Sequence, residues 1–163
     1  MMEDKRVLIL GPSTISMKAY ETLANEVNTD VILGQDDTTF SPASNPNHTK
    51  VFCESIKGEE DEDLKIYQRA IKCVDDAVYI IVDLSSASTG MGLEVGYLLT
   101  THPDKIISFI AKKGSKISPH IKGLYKKATG KDLKVEFYED EKDMADAVKR
   151  SLGYEEYYLD MIH

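Results

Sequence analysis

Five short apolar runs, each followed by a stretch of a different character, divide the chain from end to end. The runs are Val7–Leu10, Val31–Leu33, Ala77–Val82, Lys105–Ile110 and Leu133–Phe137. Runs this short and this continuously apolar are typical of strands buried on both faces of a parallel sheet, and such strands need helical crossovers between them. Helical patterns fall where crossovers are required: about Ser16–Val27, Asp61–Val74, from Gly90–Glu94 through Leu99, and Ile117–Lys127, with a last helix over Asp140–Leu152. Pro119 suits the first turn of the fourth of these. The pattern predicts an α/β fold, a doubly wound five-stranded parallel sheet in the order 2-1-3-4-5 with helices on both faces.

The stretch between Gly34 and Gly58 breaks the rhythm. Gln35–His48 is rich in turn formers, and so long a loop in a compact domain is more often functional or mobile than structural. With 163 residues and no internal repeat, the chain reads as a single domain over 1–163.

Composition removes several function classes. A net charge of −8 argues against binding a nucleic-acid polymer. It leaves room for a single anionic metabolite, because helix N-terminal amides bind phosphate without Lys or Arg. No stretch has the apolar length of a membrane span, and Val7–Leu10 is too short for a signal-peptide core and runs into Gly11-Pro12. The cytoplasm is the expected address. Cys53 and Cys73 lack metal-type spacing and read as reduced thiols, and neither a metal nor a cofactor is expected. The aromatic tail from Gly153 to His163 suggests packing against something, such as a partner subunit.

In a doubly wound sheet, ligands bind at the carboxyl ends of the strands where the winding reverses, here between the first and third strands. Two loops open into that crevice. One is Gly11-Pro12-Ser13-Thr14. The other runs from Asp83 to Gly92 and carries the hydroxyls of Ser85, Ser86, Ser88 and Thr89. Gly90 and Gly92 would let the backbone turn sharply and approach a ligand, and the amides there would seat a phosphate or a sugar hydroxyl. Glu94 is expected in the first helical turn, its side chain directed back toward the mouth of the sheet. An ionised carboxylate held there can attack an anomeric carbon or stabilise an oxocarbenium-like charge. A Glu in a first turn also serves as a cap or a partner of the helix dipole. Asp83 is either an acid–base group or a cap of the following turn. No Gly-x-Gly-x-x-Gly follows the first strand, no Walker lysine motif occurs, and Gly11-Pro12-Ser13-Thr14 offers no acidic phospho-acceptor pocket.

The segment from Asp83 to Tyr97 resembles the signature of the nucleoside 2-deoxyribosyltransferase superfamily. It is most similar to the 2′-deoxynucleoside 5′-phosphate N-hydrolases, whose loop reads Pro-Ser-x-Gly-x-Gly-x-Glu-x-Gly. Leu10-Gly11-Pro12 resembles the family's first loop, and Ile117 to Gly123 is similar to the N-hydrolases' Leu-Ser-x-x-Ile-x-Gly. The resemblance implies a flavodoxin- or Rossmann-like sheet and a small-molecule nucleoside or nucleotide as ligand. It also implies a homodimer or higher homo-oligomer. It implies that Glu94 is the nucleophile at C1′, and that Ser88 contacts a 5′-phosphate with Ser118, the latter reaching across a dimer interface. Gly11, Gly90 and Gly92 match backbone positions lining the pocket. Two positions depart from the pattern: Gln68 stands where the family has an Asp, and Thr14 lies near the place of a basic residue. The implied activity is N-glycosidic bond cleavage in (2′-deoxy)nucleosides or their 5′-monophosphates. Base exchange by a transferase, or a nucleotide-binding module without catalysis, are the alternatives.

Overall fold

In the computed structural model, residues 6–12, 19, 22–23, 30–33, 49–86 and 88–153 are described. Among them, five strands form one all-parallel sheet: β1 (Arg6–Leu10), β2 (Asp30–Leu33), β3 (Tyr79–Asp83), β4 (Ile106–Lys112) and β5 (Glu136–Tyr138). Their order is β2-β1-β3-β4-β5. The helices are α1 (Thr49–Ser55), α2 (Glu62–Asp76), α3 (Thr89–Thr101), α4 (Pro119–Thr129) and α5 (Met144–Ser151). Ala19, Thr22 and Leu23 are also helical, within the stretch expected as the first crossover.

Two cores sandwich the sheet, and the strand side chains alternate between them as the pleat demands. Leu8, Leu10, Ile80, Val82, Phe109 and Ala111 face a core that takes Val74 from α2, Met91, Val95, Leu98 and Leu99 from α3, and half-buried Ile121 and Leu124 from α4. Ile9, Ile81 and Ile110 face the other, with Ala19, Leu23 and the α5 residues Ala145, Ala147 and Val148. Strands buried on both sides can be apolar throughout, which is why they stand out as runs. The crossover after β1 therefore lies on one face and those after β2, β3 and β4 on the other. Winding reverses between β1 and β3.

Several expected boundaries move. Thr49–Ser55 is helical, inside the stretch expected as an irregular loop, while residues 34–48 lie outside the described residues. The last helix begins not at Asp140 but with a 3-10 turn over Glu141–Asp143, because the Asp140 carboxylate accepts from the Lys142 amide at 2.9 Å. β5 starts at Glu136 rather than Leu133; Leu133 and Val135 pack against the core before ladder pairing begins. α4 ends at Gly130, whose φ of 75° is a conformation glycine adopts without strain. No disulfide joins Cys53 and Cys73. Among the described residues no helix is long and apolar enough to cross a membrane, and no group of three or more His, Cys, Asp or Glu is placed to hold a metal. The tail beyond residue 153 lies outside the described residues.

Candidate active site

Register brings the two expected loops together. Leu10 pairs with Val82 and Asp83 with Ile110, so Gly11-Pro12 and the segment from Leu84 onward leave neighbouring strands at the same carboxyl edge. Gly11 and Pro12 are buried there. Ser13 and Thr14 lie outside the described residues.

Helix α3 starts at Thr89 because Ser88 caps it. The Ser88 backbone is extended, and its hydroxyl oxygen accepts from the Met91 amide at 3.4 Å, the long end of the hydrogen-bond range. This cap puts Glu94 in the second helical turn, not the first as its sequence context suggested, which removes the reading of Glu94 as an N-terminal capping residue. Glu94 is nonetheless only 2 % exposed. Burying a carboxylate carries a desolvation cost of several kcal/mol, so a purely solubilising role is excluded.

Helical spacing shows where that carboxylate faces. Tyr97 and Gly90 lie three residues after and four before Glu94, on the same flank of α3. The Tyr97 hydroxyl donates to Asp75 of α2 at 2.6 Å, so this flank faces α2. Helix α2 packs over β1, and side chains lean toward a helix's N-terminus. Glu94 therefore lies on the flank of α3 that faces α2, the helix packed over β1. Gly90, one turn above it, adds no side chain to cover it.

Gln68 belongs to the same frame. It precedes Asp75 by seven residues, two turns of α2, on the stripe that meets α3. Both helices run from the carboxyl edge downward, so Gln68 stands about 10 Å above Asp75, level with the start of α3. It is exposed.

Gly92 corrects an expectation. At about 100° per residue it falls on the opposite flank of α3 from Glu94. Its amide donates to the Ser88 carbonyl at 2.9 Å within the helix, its φ is not positive, and an added Cβ would meet nothing within 4 Å. Neither a sharp turn nor a close backbone contact within the chain requires glycine there. The first-turn amides without an intrahelical acceptor are those of Thr89 and Gly90.

Ser118 is a second capping serine on the same edge: its hydroxyl accepts from the His120 amide at 3.2 Å and opens α4, which packs against α3. In both serines the cap uses an oxygen lone pair and leaves the O–H for another acceptor. His120 itself is exposed, as are Lys112, Lys113, Lys126 and Lys127. Ser86 is half-buried in the loop between β3 and α3.

Asp83 takes the turn-capping alternative of its two readings, and Ser85 differs from what the loop's composition suggested. Asp83 is fully buried; its Oδ1 accepts from the Ser85 amide at 3.0 Å and the Ser85 hydroxyl at 2.5 Å, and its Oδ2 from the Tyr138 hydroxyl at 2.8 Å. The Ser85 oxygen in turn accepts from the Lys112 amide at 2.8 Å. Burial and the adjacent Asp83 push the Tyr138 phenol far above its ordinary pKa, so it remains a donor at every physiological pH. Both carboxylate oxygens thus hold the loop to β5. An acid–base group must reach the reacting atoms, whereas these bonds commit both Asp83 oxygens to the loop and to β5. Ser85 is likewise turned into the protein rather than toward a ligand. Tyr138 escaped notice in the sequence because its partner is 55 positions away, beyond any local pattern.

No protein-family model and no curated protein sequence matches the chain. Its architecture does have solved counterparts. The fold is that of a solved 2-deoxyribosyltransferase. That enzyme, from the psychrotolerant bacterium Bacillus psychrosaccharolyticus, is described as a biocatalyst for nucleoside synthesis; the two chains superpose with a TM-score of 0.53 over 94 % of this chain and 95 % of the other, at 11 % identity. At that identity the likeness establishes a shared fold, and chemistry has to be argued from the residues.

Proposed function

We propose that this protein cleaves the N-glycosidic bond of (2′-deoxy)nucleosides or their 5′-monophosphates, with Glu94 as nucleophile. The observation that carries the reading is the burial of Glu94 in the second turn of α3, on the flank that faces α2. In the reaction, the Glu94 carboxylate attacks C1′ while the C1′–N bond breaks and its electron pair leaves with the base, which takes up a proton. Water then attacks C1′, releases the sugar and restores the carboxylate. Ser88 and Ser118 offer hydroxyl donors, and Thr89 and Gly90 offer amides, for a 5′-phosphate. Gly11, Pro12, Ser13, Ser86 and Gln68 complete the substrate pocket, Gln68 hydrogen-bonding the sugar or base without supplying a proton. Asp83 acts on the loop rather than on the substrate. The substrate is a small molecule, the protein acts in the cytoplasm as a homodimer or higher homo-oligomer, and the reaction needs no cofactor.

One observation favours a second reading, base exchange: a solved protein that shares the fold is a transferase. Incubation with a panel of deoxynucleosides and their monophosphates, with and without a second free base, separates the two. Hydrolysis releases base and free sugar (or sugar phosphate) without an added acceptor, and Glu94→Gln abolishes that release. Exchange on unphosphorylated nucleosides with no free sugar would sink the hydrolase. Binding of nucleotides without any base release, unaltered in Glu94→Gln, would sink the enzyme.

A further inference from the structure

The knot at the root of the candidate loop has a consequence for the site. Tyr138 projects from β5 past β4 to reach Asp83 at the end of β3, and its hydroxyl lies 2.9 Å from that of Ser85. Each of the two hydroxyls has one hydrogen, and the Asp83 carboxylate accepts both together with the Ser85 amide. The Leu84 amide donates to Ile110 and the Lys112 amide to Ser85, so three strands grip two consecutive residues, Leu84 and Ser85. Ser86 comes next on the chain and the capping Ser88 two residues after it, followed by the helix that carries Glu94. A loop fastened so tightly one residue before its ligand-facing hydroxyls begins with little freedom of position, and pre-organised hydroxyls bind without a further ordering cost.

We propose that Tyr138 is a positioning residue: through Asp83 and Ser85 it sets where Ser86, Ser88 and the first turn of α3 lie relative to the crevice. This rests on the nucleoside-cleaving reading for its kinetic consequence but not for its structural one, and the test keeps the two apart. A matched control exists in the same sheet. Tyr79, at the other end of β3, pairs its hydroxyl with buried Ser108, which is joined by Ser151, far from the carboxyl edge. Tyr79→Phe and Tyr138→Phe make the same chemical change to a sheet tyrosine.

Hydrogen exchange of the full-length protein reads the structural part. Tyr138→Phe and Ser85→Ala are each expected to accelerate exchange at the Met91 and Gly92 amides, both of which donate to Ser88, about fivefold or more, the scale of one lost hydrogen bond, while Tyr79→Phe leaves those amides unchanged. Ser85→Ala keeps the tyrosine in place should Tyr138→Phe fold poorly. Equal exchange in all three variants and the wild type overturns the proposal, as does equal acceleration by Tyr79→Phe. Steady-state kinetics with a deoxynucleoside monophosphate reads the functional part. Tyr138→Phe is expected to lower kcat/KM about tenfold, chiefly through a higher KM since the loop hydroxyls bind substrate, and Tyr79→Phe to leave both constants unchanged. If the wild type cleaves no member of the panel, the functional reading falls while exchange still decides the positioning role.

Discussion

On the proposed reading of Glu94 as nucleophile, stability and chemistry pull against each other at this residue. A carboxylate 2 % exposed carries a desolvation cost that its surroundings must offset, and a charge needed for chemistry is kept despite that cost. Glu94→Gln keeps the shape and removes the charge. We expect the variant to melt at a temperature equal to or above the wild type's, with a gain of up to about 1 kcal/mol, while turnover falls on the order of 10³-fold. Calorimetry beside the nucleoside assay checks both arms. A carboxylate kept for a structural contact would give the reverse, with lowered stability and turnover retained. The residue type and the setting of Glu94 were readable from the chain; its place in the second turn was not, because a single serine cap, with an extended backbone visible only in three dimensions, sets where the helix begins.

At the scale of elements, legibility follows burial. β3 was plain because Ile80, Ile81 and Val82 are buried whichever way they point, so no polar residue interrupts the run. α1 was hidden because Thr49–Ser55 is barely two turns long, includes β-branched Thr49 and Val51, and follows a string of turn formers. Gly92 misled for another reason: composition marks a glycine but not whether its φ or its surroundings demand one. In Gly92 neither does. Gly92→Ala is therefore expected to stabilise the protein by about 0.5–1 kcal/mol, the penalty of a helix-interior glycine, as a rise in Tm. If the open space beside it is where a ligand lies, the same variant weakens nucleotide binding while still melting higher. The thermal shift with and without nucleotide distinguishes a vacant flank from a wall of the pocket. Ser88 belongs to this scale too: Ser88→Ala should cost about 0.5 kcal/mol, the low end for a cap, since its bond to Met91 is long.

For the molecule as a whole, the order of the strands decides which loops meet, and that order was inferable from the alternation of apolar runs because parallel crossovers have few acceptable arrangements. What alternation could not foretell is how the far end of the molecule is fastened. There, Asp75 at the foot of α2 accepts from Tyr97 at 2.6 Å and lies 2.7 Å from the His102 ring nitrogen at the foot of α3, while the Lys105 ammonium donates to the Val74 and Asp75 carbonyls. This clasp ties the two helices that flank the crevice at the end away from it. The hydrogen bonds from Tyr97 and then His102 hold the Asp75 carboxyl below its ordinary value of 3.8. A carboxyl whose pKa is lower folded than unfolded stabilises the fold above its unfolded pKa, and loses that contribution as pH falls through its folded one. Asp75 is partly exposed, so solvent screening limits the contribution to about 1 kcal/mol or less. Asp75→Asn should accordingly melt below the wild type at pH 7, with the gap closing as the pH is lowered through and beneath the ordinary carboxylate range. Melting curves of both proteins across that range test it, and a gap that persists unchanged at the acid end would mean that the clasp acts through packing rather than charge. On the proposed reading α2 and α3 flank the substrate, so opening the clasp should also loosen nucleotide binding in step with the loss of stability.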